Sequence, residues 1–489
     1  MIQNKPLFEV IRENIRNGEL PDTFSLPKDD SDPKKVKWAD GALDGVGIYH
    51  MGAPKITEEH LQIIADAFSM LDDHEKVKAR MRDFFSQVVP LRGIDAIQNY
   101  IFDHTDILPA SKVYQLAVDC LSGSEIDLVK LGFILTEIFS EPDDALKDMI
   151  RTLGLSDEFT IFAVFNMQRW QNGNDEIFAL ARKVHGWGRI HAVERMNPAT
   201  QEMKDWLLAE GIENNVVQAY SALDVYQKTE IAALLKTEVT DTQLNQIARV
   251  LLAMFDEGPV RGISALPEEE SQTMIGDFLR HAETLPASLC ICELLRQLSG
   301  DKRFQKYYGR TVSLLNSLKS RELISRELTN GNAVDLAEAT GLPYREKIFA
   351  HMQSDFEKGF GNCGYLIKDE QYRERVIDLF RHALPLQKMI HEPENEESSN
   401  NQKLNYHKLS FLLQFLNPYP LCGTDLVIAA MKMPDAFCRT QAIRTISEWC
   451  TVRNCPLSEL SDELCQAVEQ LKSAETDAHI RHLIDEKGL

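Results

Sequence analysis

At 489 residues the chain has room for about two to four globular domains, or for one long repeat array without a single core. It is 44% apolar and 26% charged, which excludes wholesale disorder. A formal net charge of −22 repels phosphate backbones, so it argues against nucleic acid and for a basic protein or peptide as partner.

The first 17 residues read as a short amphipathic helix with no apolar core of signal-peptide type. Residues 18–56 read as an extended leader, with the polar run Lys28–Asp29–Asp30–Ser31–Asp32–Pro33 and the glycine-rich GALDGVGIYHMG. Asp29, Asp30 and Asp32 lack the Gly and terminal Glu of a calcium loop. Gly45 and Gly47 lack the third glycine of a nucleotide loop, so this stretch is expected to lie as a loop on the first helices. The basic runs from Lys34 to Lys37 and from Lys76 to Arg82 are short and flanked by acids.

Helix then follows helix. Thr57 caps a segment whose Leu61, Ile64, Ala65 and Phe68 form an apolar stripe. Similar stripes run through 93–103, 110–121, 125–139, 142–153, 156–170, 175–184, 187–196, 200–209, 213–223, 228–237, 241–255 and 270–283. They resume at 287–298, 305–318, 343–358, 369–383, 404–416, 424–432, 436–450, 457–472 and 476–486. Ser156, Asp175 and Asp241 stand at cap positions. Strand-like alternation is almost absent. The organisation expected is a helix plus leader over 1–56, a helical-repeat array over 57–390, an acidic loop or linker over 391–403 (HEPENEESSNNQK), and C-terminal helical repeats over 404–489.

The most apolar stretch, Phe159 to Met167, falls short of the roughly 20 residues that cross a bilayer. Nine scattered cysteines read as free thiols in a reducing compartment, since Cys290 and Cys292 have no second pair at zinc spacing. Together these place the chain in the cytoplasm, without metal, cofactor or membrane.

One segment occurs twice. DEIFALARKVHGWGRIHAVERM (175–196) aligns without gaps on DLVIAAMKMPDAFCRTQAIRTI (425–446). Asp175 falls on Asp425, Ala179 on Ala429, Arg189 on Arg439 and Ala192 on Ala442, and Trp187 matches Phe437 among the apolar positions. Each copy reads as helix, tight break, helix. The segment resembles HEAT and armadillo repeats, whose second helix opens after Asp, Pro or Gly and carries an Arg followed three residues later by Ala and an aliphatic residue. Pro434–Asp435 fits that pattern, and Val184–His185–Gly186 departs from it. The resemblance implies an all-α fold, an α-solenoid of stacked antiparallel helix pairs forming a superhelix, with a concave face that binds a partner. VHGWGRIHAVER also resembles bacterial proteins labelled limonene hydroxylase, although no dinucleotide fingerprint follows a strand. Cys363 in GFGNCGY lacks the loop of a haem-thiolate site.

Trp187, His191 and Glu194 share one helix face, with His185 just before it, and form the candidate ligand or partner patch. The competing reading packs Trp187 on a neighbouring helix and pairs His191 with Glu194 at the surface. Phe437, Gln441 and Arg444 stand at the equivalent places of the second copy. Asp175, Arg189, Ala192, Asp425, Arg439 and Ala442 are expected to be structural, with each Arg bonding a carbonyl or carboxylate of its neighbourhood. The chain is therefore read as an interaction scaffold holding a protein or peptide in a groove. The alternative is an enzyme on the same scaffold, of DNA-glycosylase or other small-substrate type, using Trp187, His191 and Glu194 with Trp170 and Trp206 nearby.

Overall fold

The computed structural model describes residues 5–28, 37–52, 55–391 and 400–489. The Asp29–Asp30–Asp32 trio, Lys34, Lys35 and residues 392–399 of the expected linker lie outside the described residues. The fold is all-α: helices make up 71% of the structure, and among the described residues the one β-type pairing is an isolated bridge between Arg16 and Glu19. No helix among them is long and apolar enough to cross a membrane. The chain divides into two compact units, Met1–Thr311 and Val312–Leu489.

Five helices of the first unit build the site described below: α1 (Ala42–His50), α2 (Ile126–Thr136), α3 (Asp157–Met167), α4 (Trp187–Arg195) and α5 (Ala219–Lys228). Helix α3 packs against α2 and α4, and α4 packs against α5. Helices α2 and α3 are buried almost all round, as continuous apolar runs such as LVKLGFIL require. The core of this unit therefore runs along α2, α3 and α4.

Several local expectations change. Residues 42–50, expected in an extended leader on the first helices, form α1, which lies against Trp187 instead. The stripe of Glu58–Phe68 is rotated, burying Ile63, Ile64, Ala67 and Phe68 while Leu61 is exposed. Thr57 does cap this helix, accepting the His60 N–H at 3.3 Å. Thr240, not Asp241, caps Asp241–Phe255, and Asp175 stands in the first turn of Gly173–Ala181. Residues 213–218 are not helical, because Asn214 Oδ1 accepts the N–H groups of Val216 and Val217 at 3.1 and 2.9 Å and closes a side-chain turn there. The described ends of the expected linker are helical, since Leu386–His391 ends at it and Asn400–Leu416 begins in it.

Both copies of the repeated segment fold as helix, break, helix: Gly173–Ala181 then α4, and Thr424–Met431 then Ala436–Arg453. The two arginines make parallel bonds, each within its own unit. Arg189 donates to Val184 O (2.7 Å) and Glu210 O (3.2 Å). Arg439 donates to Pro434 O (2.6 Å), Met433 O (2.9 Å) and both carboxylate oxygens of Glu475 (2.7 and 3.2 Å). Each guanidinium thus ties the break before its own helix to the end of a later helix, Gln201–Glu210 for Arg189 and Asp462–Ala474 for Arg439. Ala192 and Ala442 are both buried, while Asp175 and Asp425 are both exposed, Asp425 taking two bonds from Arg381 (2.7 and 2.8 Å). Trp187 and Phe437 part company, being 6% and 49% exposed.

Candidate functional site

The departure at Val184–His185–Gly186 has a structural counterpart. In the second copy Asp435 caps its own helix by accepting the Cys438 N–H at 2.6 Å. In the first copy His185 holds that position, and α4, preceded by Gly186, has no side-chain cap of its own. The cap comes from α3 instead: Asp157 Oδ1 accepts the Gly188 N–H at 3.1 Å. At the opposite end, Lys228 of α5 donates to Val193 O (2.6 Å) and to Glu194 O. An acid at the N-terminus and a base at the C-terminus both complement the helix dipole.

That borrowed cap places a carboxyl group in a half-buried position against the first turns of α3 and α4. Burial pushes Asp157 up to about 7 from 3.8, and the charges of Asp40 and Glu158 add to the rise against hydrogen bonds from the Gly188 and Trp187 backbones. A carboxyl raised in the folded state stabilises it fully below the unfolded value and loses that contribution as pH climbs through the folded value. Asp157→Asn is therefore expected to gain stability relative to wild type as pH rises from about 4 to about 7, with no further gain above. Urea titrations of both proteins at each pH check this, and a difference independent of pH would contradict it.

Around Asp157 lies a second ionic group. Lys130, in the apolar run of α2, donates to Asp44 of α1 (2.7 Å) and Glu158 of α3 (2.6 Å), and all three are buried. Its Nζ also stands 5.4 Å from the centre of the Phe162 ring. Burial opposes a charge on Lys130, but the two carboxylates outweigh it and raise its pKa. Burial likewise works against ionised Glu158, yet Lys130 holds it below the usual range. Glu158 Oε2 accepts the Gly41 N–H at 3.0 Å, and Gly41 has φ +70° with no room for a Cβ, which would fall 2.5 Å from the Asp157 carbonyl oxygen. Upstream, Lys28 pairs with Asp40 at 2.7 Å, and Asp40 accepts the Leu26 N–H at 2.9 Å. These bonds tie Leu26 and Lys28 to Asp40, and fasten Gly41 and Asp44 against α3 and α2.

The stretches so fastened form one wall of a cavity of about 710 Å³. Its lining includes Phe24, Trp38 and Asp40 from the described stretches before α1, Ser156 and Asp157 from the start of α3, and Lys183, His185 and Trp187 around the start of α4. Ser156 is 2% exposed, and its hydroxyl has no hydrogen-bond partner among the described residues. A smaller cavity of about 450 Å³ lies at the matching break of the second copy, beside Met433, Pro434 and Arg439.

The predicted patch sits on the other side of Trp187. The indole packs against Tyr49 (6.2 Å between ring centres), Tyr220 (4.9 Å) and His191 (6.1 Å). His191 is fully buried, which corrects its expected place at the surface, and its Nδ1 lies 3.9 Å from Glu194 Oε2, beyond hydrogen-bond reach. Tyr49 donates weakly to Glu194 Oε2 at 3.4 Å. Burial works against ionised Glu194, while His191, Arg195 and Tyr49 hold it below the usual range. Burial raises Asp224 and lowers Lys228 nearby, so perturbed groups cluster here. His185 is separate from this patch, 3.7 Å from Glu19 and on the cavity.

Of the three neighbouring tryptophans, Trp187 alone lines the large cavity. Trp170 lies beneath Lys147 and Arg151, and Trp206 beneath Arg189. Cys363 is buried and its thiol is pushed up to about 12, the state of an inert core cysteine. Among the described residues no cluster of three His, Cys, Asp or Glu is placed to hold a metal ion. Sequence reasoning missed Lys130, Asp44, Asp157 and Glu158, whose partners are distant in the chain. The signal open to it was a lone lysine inside an otherwise apolar helix.

Fold and site define an all-α protein with a buried ionic cluster beside a cavity. No family model matches the chain, and comparison with curated proteins and with solved structures finds no significant match.

Proposed function

We propose that the chain binds a small polar molecule in the cavity beside Asp157 and exchanges a proton with it, the enzyme alternative moved from the His191–Glu194 face to the other side of Trp187. One observation carries this reading: Ser156, whose buried hydroxyl has no hydrogen-bond partner among the described residues, lines the cavity next to a carboxyl held near neutrality. A group that titrates near working pH both gives and takes a proton readily. Ligand-observed NMR with a library of small polar metabolites tests it. Hits seen with wild type are expected to vanish with Asn215→Trp, which fills the cavity from its exposed rim. Hits that survive this substitution, or a library without hits, would contradict it.

The parallel bonding of Arg189 and Arg439 supports a second reading, in which helix pairs stack as a HEAT-like or armadillo-like solenoid. In that reading the net charge of −22 suits an interaction scaffold in the cytoplasm whose groove holds a basic protein or peptide. Recovery of a stoichiometric basic partner whose binding weakens steeply with salt would support it; salt-independent binding would count against it.

A further inference from the structure

A binding site selects the ligand whose groups answer those that the site leaves uncommitted. Most charges on this cavity are already engaged. Asp40 is paired with Lys28 and accepts the Leu26 N–H, Asp157 caps α4, and His185 lies beside Glu19. Among the described residues, the lining also carries groups that are not committed, and donors are among them. The Ser156 hydroxyl has no partner, and Lys183, exposed at the rim, makes no ion pair. The first turn of α3, an eleven-residue helix, opens here without a side-chain cap, so the positive end of its dipole faces the same space. The uncommitted acid, Asp22, stands exposed at the rim. Phe24, Trp38 and Trp187 supply an apolar wall.

We infer that the ligand is a small organic anion, a carboxylate or phosphate head carried on an apolar body, with the head at Ser156 and the start of α3 and the body against Phe24, Trp38 and Trp187. The inference rests on the cavity reading above and adds the chemical class. Asp157 fits it, because an anion beside a carboxyl near neutrality drives that carboxyl to hold its proton. The groups facing Asp157 are Glu158 on its own helix, Asp40 just before α1, and the Gly188 and Trp187 N–H groups with Arg189 on α4.

Calorimetry and thermal shift on the full chain with four probes test the class: phenylacetate, phenyl phosphate, the neutral phenylacetamide and the cationic phenethylamine, each at millimolar concentration. Phenylacetate and phenyl phosphate are expected to bind and raise Tm, and their relative affinities separate a carboxylate site from a phosphate site. Anion binding at pH 7 is expected to take up protons, read from buffers of different ionisation enthalpy. Lys183→Gln, a change at an exposed residue, and Ser156→Ala are each expected to weaken anion binding about tenfold, the size of one charge-assisted hydrogen bond. Binding of the amide or the amine in preference to the anions would overturn the anionic class and leave the cavity reading standing. Four silent probes, or anion binding unchanged in both variants, would overturn the inference, and silence from the metabolite library as well would take the cavity reading with it.

Discussion

Lys130→Met is expected to cost about 3–5 kcal/mol of unfolding free energy, because it leaves the carboxylates of Asp44 and Glu158 buried without their shared cation. The cation and both acids are buried, so water cannot take its place cheaply. Introducing Asp44→Asn and Glu158→Gln together with Lys130→Met removes the stranded charges and is expected to recover much of the loss. Urea denaturation of the single and triple variants measures both quantities. A single variant within about 1 kcal/mol of wild type would mean that the three groups do not form one buried unit.

Trp187→Ala is expected to cost a further large amount, about 3–5 kcal/mol, since the indole fills the space between α1, α4 and α5. The close approach of α1 depends on Gly45, where a Cβ would fall 2.1 Å from a carbon of the indole ring. Gly45→Ala alone is therefore expected to cost about 1–3 kcal/mol through overpacking. In the Trp187→Ala background the obstacle is gone and the added methyl occupies part of the vacated space. The double variant should then show a coupling of at least about 1 kcal/mol, read from a double-mutant cycle. Additive losses would show that the two residues do not share this contact.

These contacts also explain which parts of the fold were legible. Helices with one apolar stripe, such as Glu58–Phe68, were readable because period and cap signals agree, even though the buried face is rotated from the expected one. Helix α1 was not, because GALDGVGIYH carries two interior glycines that lower its intrinsic helicity. Gly45 answers a tertiary demand, the nearness of Trp187, which local sequence does not display.

The site was legible to the same degree. Trp187, one member of the expected patch, is buried among aromatic rings, and the arginines of the repeat bond to neighbouring carbonyls and a carboxylate. His191 and Glu194 looked like a surface pair because helical spacing fixes the face but not what covers it. Asp157 was invisible for a clearer reason. It takes over, from 28 positions upstream, the capping position that His185 holds in place of the second copy's Asp435. The irregular Val184–His185–Gly186 break was the visible trace of that exchange.

Proton exchange in the cavity requires one side chain, Asp157, to titrate near neutral pH. A carboxyl-carbon NMR titration of the full chain, with Asp157 assigned by comparison with Asp157→Asn, measures it directly. A midpoint near 7 is the expected result. A midpoint near 4, the ordinary range for aspartate, would show a plain ionised helix cap and remove the basis for proton exchange in the cavity.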